Sequence, residues 1–410
     1  MIAVLRQRNF LLLWIGGLLS VTGDFLLFIA LPFFIYDLTG SVLAAGAMFM
    51  AQELPRVFLG SVAGVFVDRW DRKRTMVVAD LSRALILLPL LFAATGGPLW
   101  PIYAVVFVES TFSIFFLPAQ SSIIPSLVEE RHLVGANSLI SMSQDILGLV
   151  GALLGGALLG VVGLSGLILL DVATYLVSVA IIPRIRYVRP DSEESTATVP
   201  TAAGSRSLAG AFAGVWREWA GGLRAARADR RVATVFVVMA ITMISEGVIA
   251  VLLVAFVEGV LGGGAPEFSW MVAGLGLGGI AGSFVVGWLS RFVTATRILA
   301  VSLCFKGAIL AVIFGIASLP VTLALSPFAG ASVVGWYAGG QTLLQTWVSD
   351  EYLGRVFGAY EATQGLLLLG GMGLAVALGD LIGIIPLLIA AACLHFSAGL
   401  FAWVRLPKTV

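Results

Sequence analysis

Apolar stretches long enough to cross a hydrocarbon core, roughly 20 residues each, follow one another along the chain near 10–37, 41–67, 76–95, 99–126, 136–163, 164–184, 231–258, 266–290, 296–317, 319–347, 356–380 and 384–405. The pattern predicts an all-α membrane protein with twelve transmembrane helices. It is interrupted once, between Pro183 and Arg231, where IRYVRPDSEESTATVPTAAGSRS is too polar to build a core. This break divides the chain into an N-terminal six-helix bundle (1–184), a linker (185–230) and a C-terminal six-helix bundle (231–410). The linker's second part places Leu208, Phe212, Val215 or Trp216, Trp219 and Leu223 at helical spacing, opposite Arg217, Arg224 and Arg227. Two readings follow: an amphipathic helix lying on the membrane surface, or a helix packed against the loops.

Against this apolar background, an acidic residue falls halfway along the first span of each half: Asp24 in LLSVTGDFLLFIALPFF and Glu246 in AITMISEGVIAVLLVAF. A carboxylate at bilayer depth costs several kcal/mol unless it is paired, protonated or wetted, so each is a candidate proton or substrate site. The alternative is permanent pairing. Glu53 and Arg56 are three apart in the second span, and Asp80 and Arg83 repeat that spacing in the third. The spacing favours a local structural pair for Asp80 and Arg83, whereas Arg56 is also placed to reach Asp24 or Asp145. Lys306 reads as a snorkelling or packing residue, and Asp171 as a helix-end residue.

Composition sharpens the class. The 410 residues are 59% hydrophobic and only 11% charged, where soluble domains approach a quarter charged. The basic residues cluster: of 24 Lys and Arg, only Arg56, Arg83 and Lys306 lie in the interior of apolar runs, the rest falling at their ends and in connections, and loops such as VEGVLGGGAPEF hold none. The positive-inside rule then places both termini and the linker on the cytoplasmic side. Arg6 and Arg8 precede a long apolar run without a small-residue cleavage site, so a retained first span is expected. Cys304 and Cys393 lie inside apolar runs, and His132 and His395 form no metal spacing. No phosphate-binding loop, dinucleotide fingerprint or nucleophile elbow is visible, so an enzyme is not indicated and no cofactor is expected. GLGLGG at 274–279 lies in an apolar span and reads as helix packing. A proton or other ion gradient remains as the energy source, with no nucleic-acid partner.

The halves resemble each other. An offset of 222 carries Asp24 to Glu246, Gly60 to Gly282, Ser61 to Ser283 and Arg69 to Arg291, and an offset of 221 carries Glu129 and Glu130 to Asp350 and Glu351. Such a parallel duplication is a common transporter construction. At the end of the second span, GSVAGVFVDRWDRKRT (60–75) puts Gly60 and Gly64 on one helical face, ahead of a short charged loop. The loop resembles the signature between helices two and three of the major facilitator superfamily, matched here by Gly64, Asp68, Arg69, Arg72 and Lys73; Asp71 stands where many members carry glycine. DFLLFIALPFFIYDLTGS, DLSRA (80–84) and PAQSSIIPSLVEERHLVGANSL (118–139) are similar to the macrolide-efflux and enterobactin-exporter-like branch.

The resemblance implies two pseudo-symmetric bundles working by alternating access. It also implies a latch at Asp68 and Arg69, partnered by the inner end of the eleventh helix or by Glu129, Glu130, Asp350 or Glu351. In the family, helices one, four, seven and ten line the cavity, which makes Asp24, Glu109, Glu246, Gln341 and Gln345 candidate proton or substrate contacts, with Arg56 and Asp145 nearby. GLVGALLGGALLG (148–160) partly matches the exporters' fifth-helix signature, with Ala152 in place of its proline; ordinary small-residue packing fits the run equally. The function implied is proton-coupled export of small amphipathic or cationic molecules of drug or siderophore type from the cell by a monomer. Proton-coupled uptake and, less favoured, a non-transporting sensor stay open.

Overall fold

The computed structural model describes residues 2–67, 70–93, 98–129, 132–186 and 208–407. The described residues are helical almost throughout. The helices are α1 (Arg8–Thr39), α2 (Val42–Val67), α3 (Arg72–Leu87), α4 (Trp100–Ile123), α5 (Leu133–Ile181), α6 (Leu208–Ala228), α7 (Arg230–Ala255), α8 (Ala265–Leu289), α9 (Ala295–Ile316), α10 (Leu319–Trp347), α11 (Asp350–Ile382) and α12 (Ile384–Arg405). All but α6 contain stretches long and apolar enough to cross a bilayer.

The 49 residues of α5 are two helical limbs that meet at a kink. At about 1.5 Å per residue, they would run to roughly 74 Å, more than twice the roughly 30 Å hydrocarbon core. Gly163, with φ 67° and ψ 177°, breaks the run into two limbs, in a backbone region essentially reserved for glycine. Counting both limbs, the described helices make twelve passes. The sequence pattern divides the fifth and sixth spans at this residue.

The chain forms two compact units, one of residues 1–31 and 51–215, the other of 32–50 and 216–410. Within α1 the boundary coincides with Pro32, whose ring and missing N–H interrupt the helical ladder. In the first unit, α3 packs against α4 and α5, and Phe10, Leu13, Met76, Phe116, Ile123 and Ile182 form a buried cluster. Cations tie one end of this unit together. Arg72 donates to the Ser122 carbonyl at 2.7 Å, and Lys73 to the carbonyls of Ile185 at 3.3 Å and Pro183 at 3.4 Å, satisfying groups left unpaired at helix C-termini. Asp71 caps α3, accepting from the Arg74 N–H at 2.8 Å. That role gives the departure from glycine a physical reason.

In the second unit, α7 packs against α11 and α12, α9 against α10 and α12, and α8 against α10. Val235, Phe236, Met239, Leu303, Trp336, Leu343 and Tyr360 form its buried cluster. GLGLGG is helix packing, with Gly278 lying directly on the Pro327 backbone of α10. α6 docks on α11: Trp219 donates to Thr363 Oγ1 at 3.0 Å, and Gly222 abuts the Arg355 carbonyl. These contacts are with a helix and not with the loops; the side chains of Leu208, Phe212 and Val215 lie outside the described residues. Among the described residues, no atom lies within 4 Å of where a Cβ on Gly60 would sit.

Candidate functional site

In the first unit, four helices converge on Arg83, whose side chain is 2% exposed. Its Nε donates to Glu109 Oε1 at 2.7 Å, its Nη1 to Ser20 Oγ at 3.2 Å and Asp80 Oδ1 at 3.3 Å, and its Nη2 to Asp24 Oδ1. The guanidinium also lies over the Tyr175 ring, with Cζ 4.3 Å from the centroid, a cation–π contact. The Tyr175 hydroxyl reaches Asp24 Oδ1 and lies 3.2 Å from Glu109 Oε1. Ser20 donates to Asp80 Oδ1 at 3.1 Å. Asp171, fully buried, receives the Thr174 hydroxyl at 3.3 Å and rests against the bare Cα of Gly23.

These groups line a cavity of about 390 Å³ with a mixed wall: Phe25, Phe28, Leu31 and Phe116 on the apolar side, Gln52, Ser110, Ser113 and Gln144 on the polar side. Asp24, Arg83, Glu109, Asp171 and Tyr175 all belong to the lining. Asp24 is the opened edge of the cluster, its side chain 29% exposed. Arg83 pairs with three carboxyl groups, Asp24, Asp80 and Glu109, and a fourth, Asp171, lines the same cavity; isolated buried charges are not tolerated. The carboxyl groups gathered here outnumber the guanidinium that pairs with them.

The geometry revises several expectations. Arg83 is not a local partner of Asp80 alone, but the hub that joins α1, α3, α4 and the second limb of α5. Asp171 is not a helix-end residue: it lies eight residues, or about 12 Å, beyond the Gly163 break. Arg56 lines the cavity but pairs with Glu53 at 3.1 Å, its side chain 68% exposed; no ion pair joins it to Asp24. Glycines of the fifth-helix run seat Phe25 of α1, beside Asp24, against Gly148 and Gly151. Asp145 falls within α5, but its side chain lies outside the described ones.

In the second unit, Glu246 of α7 is held by Lys306 of α9 and by His395 of α12, whose Nε2 is 3.0 Å from Glu246 Oε1. Lys306 is thus an intramembrane ion-pair partner, not a snorkelling residue; its side chain is 6% exposed and that of Glu246 25%. Gln341 is half-buried and Gln345 exposed on α10. In the loop motif, Arg72 and Lys73 hold helix-end carbonyls, while Asp68 and Arg69 lie outside the described residues, as do the Asp350 and Glu351 side chains and all of Glu130. Gly64 falls at the end of α2 with its surroundings likewise undescribed. Among the described residues, no set of three or more His, Cys, Asp or Glu is gathered as for a metal ion.

Tyr175 and His395 are the partners that sequence reasoning missed. A tyrosine in an apolar run carries no distinguishing signal. His395 is one of only two histidines in the chain and lies inside a span, a signal that was available.

A family model described as transmembrane secretion effector matches residues 1–410. An uncharacterized MFS-type transporter of Bacillus subtilis (strain 168), YfiS, is 26% identical over 409 residues, covering 96% of this chain and 92% of its own. Macrolide efflux protein A of Streptococcus pyogenes is 25% identical over 390 residues, covering 92% of this chain and 91% of its own. Among solved structures, the nucleoside transporter NupG superposes with a TM-score of 0.74 at 12% identity, over 97% of this chain and 100% of that one.

Proposed function

The chain belongs to the transmembrane secretion effector family of major facilitator transporters, and from that premise we propose that it exports small amphipathic cations in exchange for protons. In this reading it is a monomer of the cell membrane with both termini cytoplasmic. Residues 1–184 and 231–410 act as two bundles joined by 185–230, and they alternate access to the substrate. Similarity to a macrolide efflux protein along nearly the whole chain supports the outward direction.

The observation that carries the proposal is the charge surplus around Arg83: one guanidinium paired with three carboxyl groups, with a fourth, Asp171, in the wall of the same cavity. Asp24 is the principal exchange site because it is the exposed member of the cluster. With a proton bound, its charge is neutralised; a monovalent cation that enters takes over that role and releases the proton. Phe25, Phe28 and Phe116 offer apolar surface to the rest of the ligand. Glu109 and Glu246 modulate the exchange, and Gln341 and Gln345 contribute hydrogen bonds to substrate.

A thermal-shift screen of purified protein against cationic dyes, macrolides, siderophores and sugars selects the ligand. Efflux of that ligand from vesicles under a pH gradient is then compared with Asp24→Asn. Coupled efflux is expected to vanish in the variant while binding survives. Stabilisation by neutral sugars alone, or undiminished coupled efflux in Asp24→Asn, would overturn the proposal.

A further inference from the structure

Lys306, Glu246 and His395 form a cluster built differently from the one at Arg83. It has one carboxylate, one ammonium and one imidazole, so with a neutral imidazole its formal charges cancel. His395 is completely buried and hydrogen-bonded on both sides. Its Nε2 faces Glu246 Oε1 at 3.0 Å; its Nδ1 faces Ser245 Oγ at 2.6 Å and the Ala391 carbonyl at 3.2 Å. Ser245 Oγ is also 2.7 Å from that same carbonyl.

This pairing on the Nδ1 side accommodates two protonation states. A neutral imidazole carries its proton on Nε2, donates to Glu246, and accepts the Ser245 hydroxyl at Nδ1. An imidazolium donates from both nitrogens: Nε2 still to Glu246, Nδ1 to Ser245 Oγ, while Ser245 turns its hydroxyl to the Ala391 carbonyl. A half-turn of one hydroxyl exchanges the two arrangements, and neither leaves a buried donor unpaired. A histidine held for packing alone needs only one of them.

We infer that Glu246, Lys306 and His395 form a second proton-binding site, in which His395 takes up one proton and Ser245 accommodates both forms. Uptake adds one positive charge to a cluster that was neutral, and the added proton sits on Nδ1, on the Ser245 and Ala391 side of the ring. The inference goes beyond the export reading, because it adds His395, Lys306 and Ser245 to Glu246 and does not depend on which molecule is carried.

The surrounding helices leave the trio isolated. Close contacts of Gly307 with the α12 backbone and of Gly399 with the α9 backbone bring Lys306 beside His395. Of the charged or titratable groups on the packed helices, Glu246 faces from α7 and Lys306 from α9; Cys304, also of α9, points its Sγ to the Phe396 carbonyl at 3.8 Å. α11 meets α7 at Gly247 through Leu368, Gly371 and Met372, in a stretch (362–379) that carries no titratable residue. α10 carries no charged residue at all.

Nitrogen-labelled histidine spectra of the full-length protein test this directly, because two histidines give two imidazole signals and His395→Gln removes one to assign them. The His395 signal is expected to move from the neutral to the imidazolium position as pH is lowered across the range in which the protein stays folded. In Glu246→Gln that change is expected to be lost, and in Ser245→Ala the tautomer ratio of the neutral ring is expected to change. Asp24→Asn is expected to leave the titration unaltered, which separates failure of this site from failure of the export reading. A His395 ring that stays in one form across that range, or that titrates identically in Glu246→Gln and Ser245→Ala, would overturn the inference.

Discussion

Arg83 carries more of the candidate site than any other residue, because one planar fork meets Asp24, Asp80 and Glu109 at once. Arg83→Gln leaves those carboxyl groups without a cation; removing one partner of a buried ion pair costs about 3–5 kcal/mol, so thermal unfolding in detergent should show a large loss. Arg83→Lys keeps the charge but not the fork. It is expected to unfold later than the Gln variant and still bind the cationic ligand more weakly than wild type in a direct titration. Much of this site was legible in the chain: Asp24 and Glu109 are conspicuous because ionised residues are rare inside apolar runs. Which acid Arg83 meets was not, because Asp24 and Glu109 come from α1 and α4, and spacing within one helix reports only the neighbour three residues away. Asp171 was misjudged for a related reason: its depth is set by where Gly163 breaks α5.

Among the elements, α5 and α7 show how ends and breaks are specified. Gly163→Ala places a Cβ where φ is 67°, and strain of this kind costs of order 1–3 kcal/mol; the variant should lose about that much stability in a denaturation series. At the start of α7, Asp229 accepts from the Arg231 N–H at 2.7 Å and from its guanidinium at 2.9 Å. The Arg231 side-chain hydrogen bond, foremost, holds the Asp229 carboxyl below its ordinary range. A carboxyl that is more acidic folded than unfolded stabilises fully above its unfolded value, and that stabilisation is lost as pH falls through its folded value. Asp229→Asn should therefore remove an acid-side component of the stability profile while keeping a competent cap, whereas Asp229→Ala should cost about 1 kcal/mol at neutral pH. The spans were readable from hydropathy, and even the division at Gly163 was. The docking of α6 was not decided by its periodicity: an amphipathic face is the same whether lipid or protein covers it, and the contact of Gly222 with the Arg355 carbonyl is a tertiary fact.

For the whole molecule, a chain with a mean hydropathy of +1.04 folds into twelve passes, and among the described residues two clusters of intramembrane charge differ in character. One, at Arg83, holds more carboxyl groups than cations; the other, at Glu246, is balanced. Sequence duplication placed an acid at matching positions of both halves, yet their surroundings diverge, since Arg83 and Tyr175 have no counterparts at Lys306 and His395 by type. The central claim is that surplus acid around Arg83 trades protons for a cation. The most direct measurement is proton release on ligand binding: purified protein in weakly buffered detergent is titrated with the cationic ligand from the thermal-shift screen while pH is recorded. The account predicts that binding of the cation releases protons, and that Asp24→Asn releases none. Saturable binding of the cation to the wild-type protein with no release of protons would contradict it.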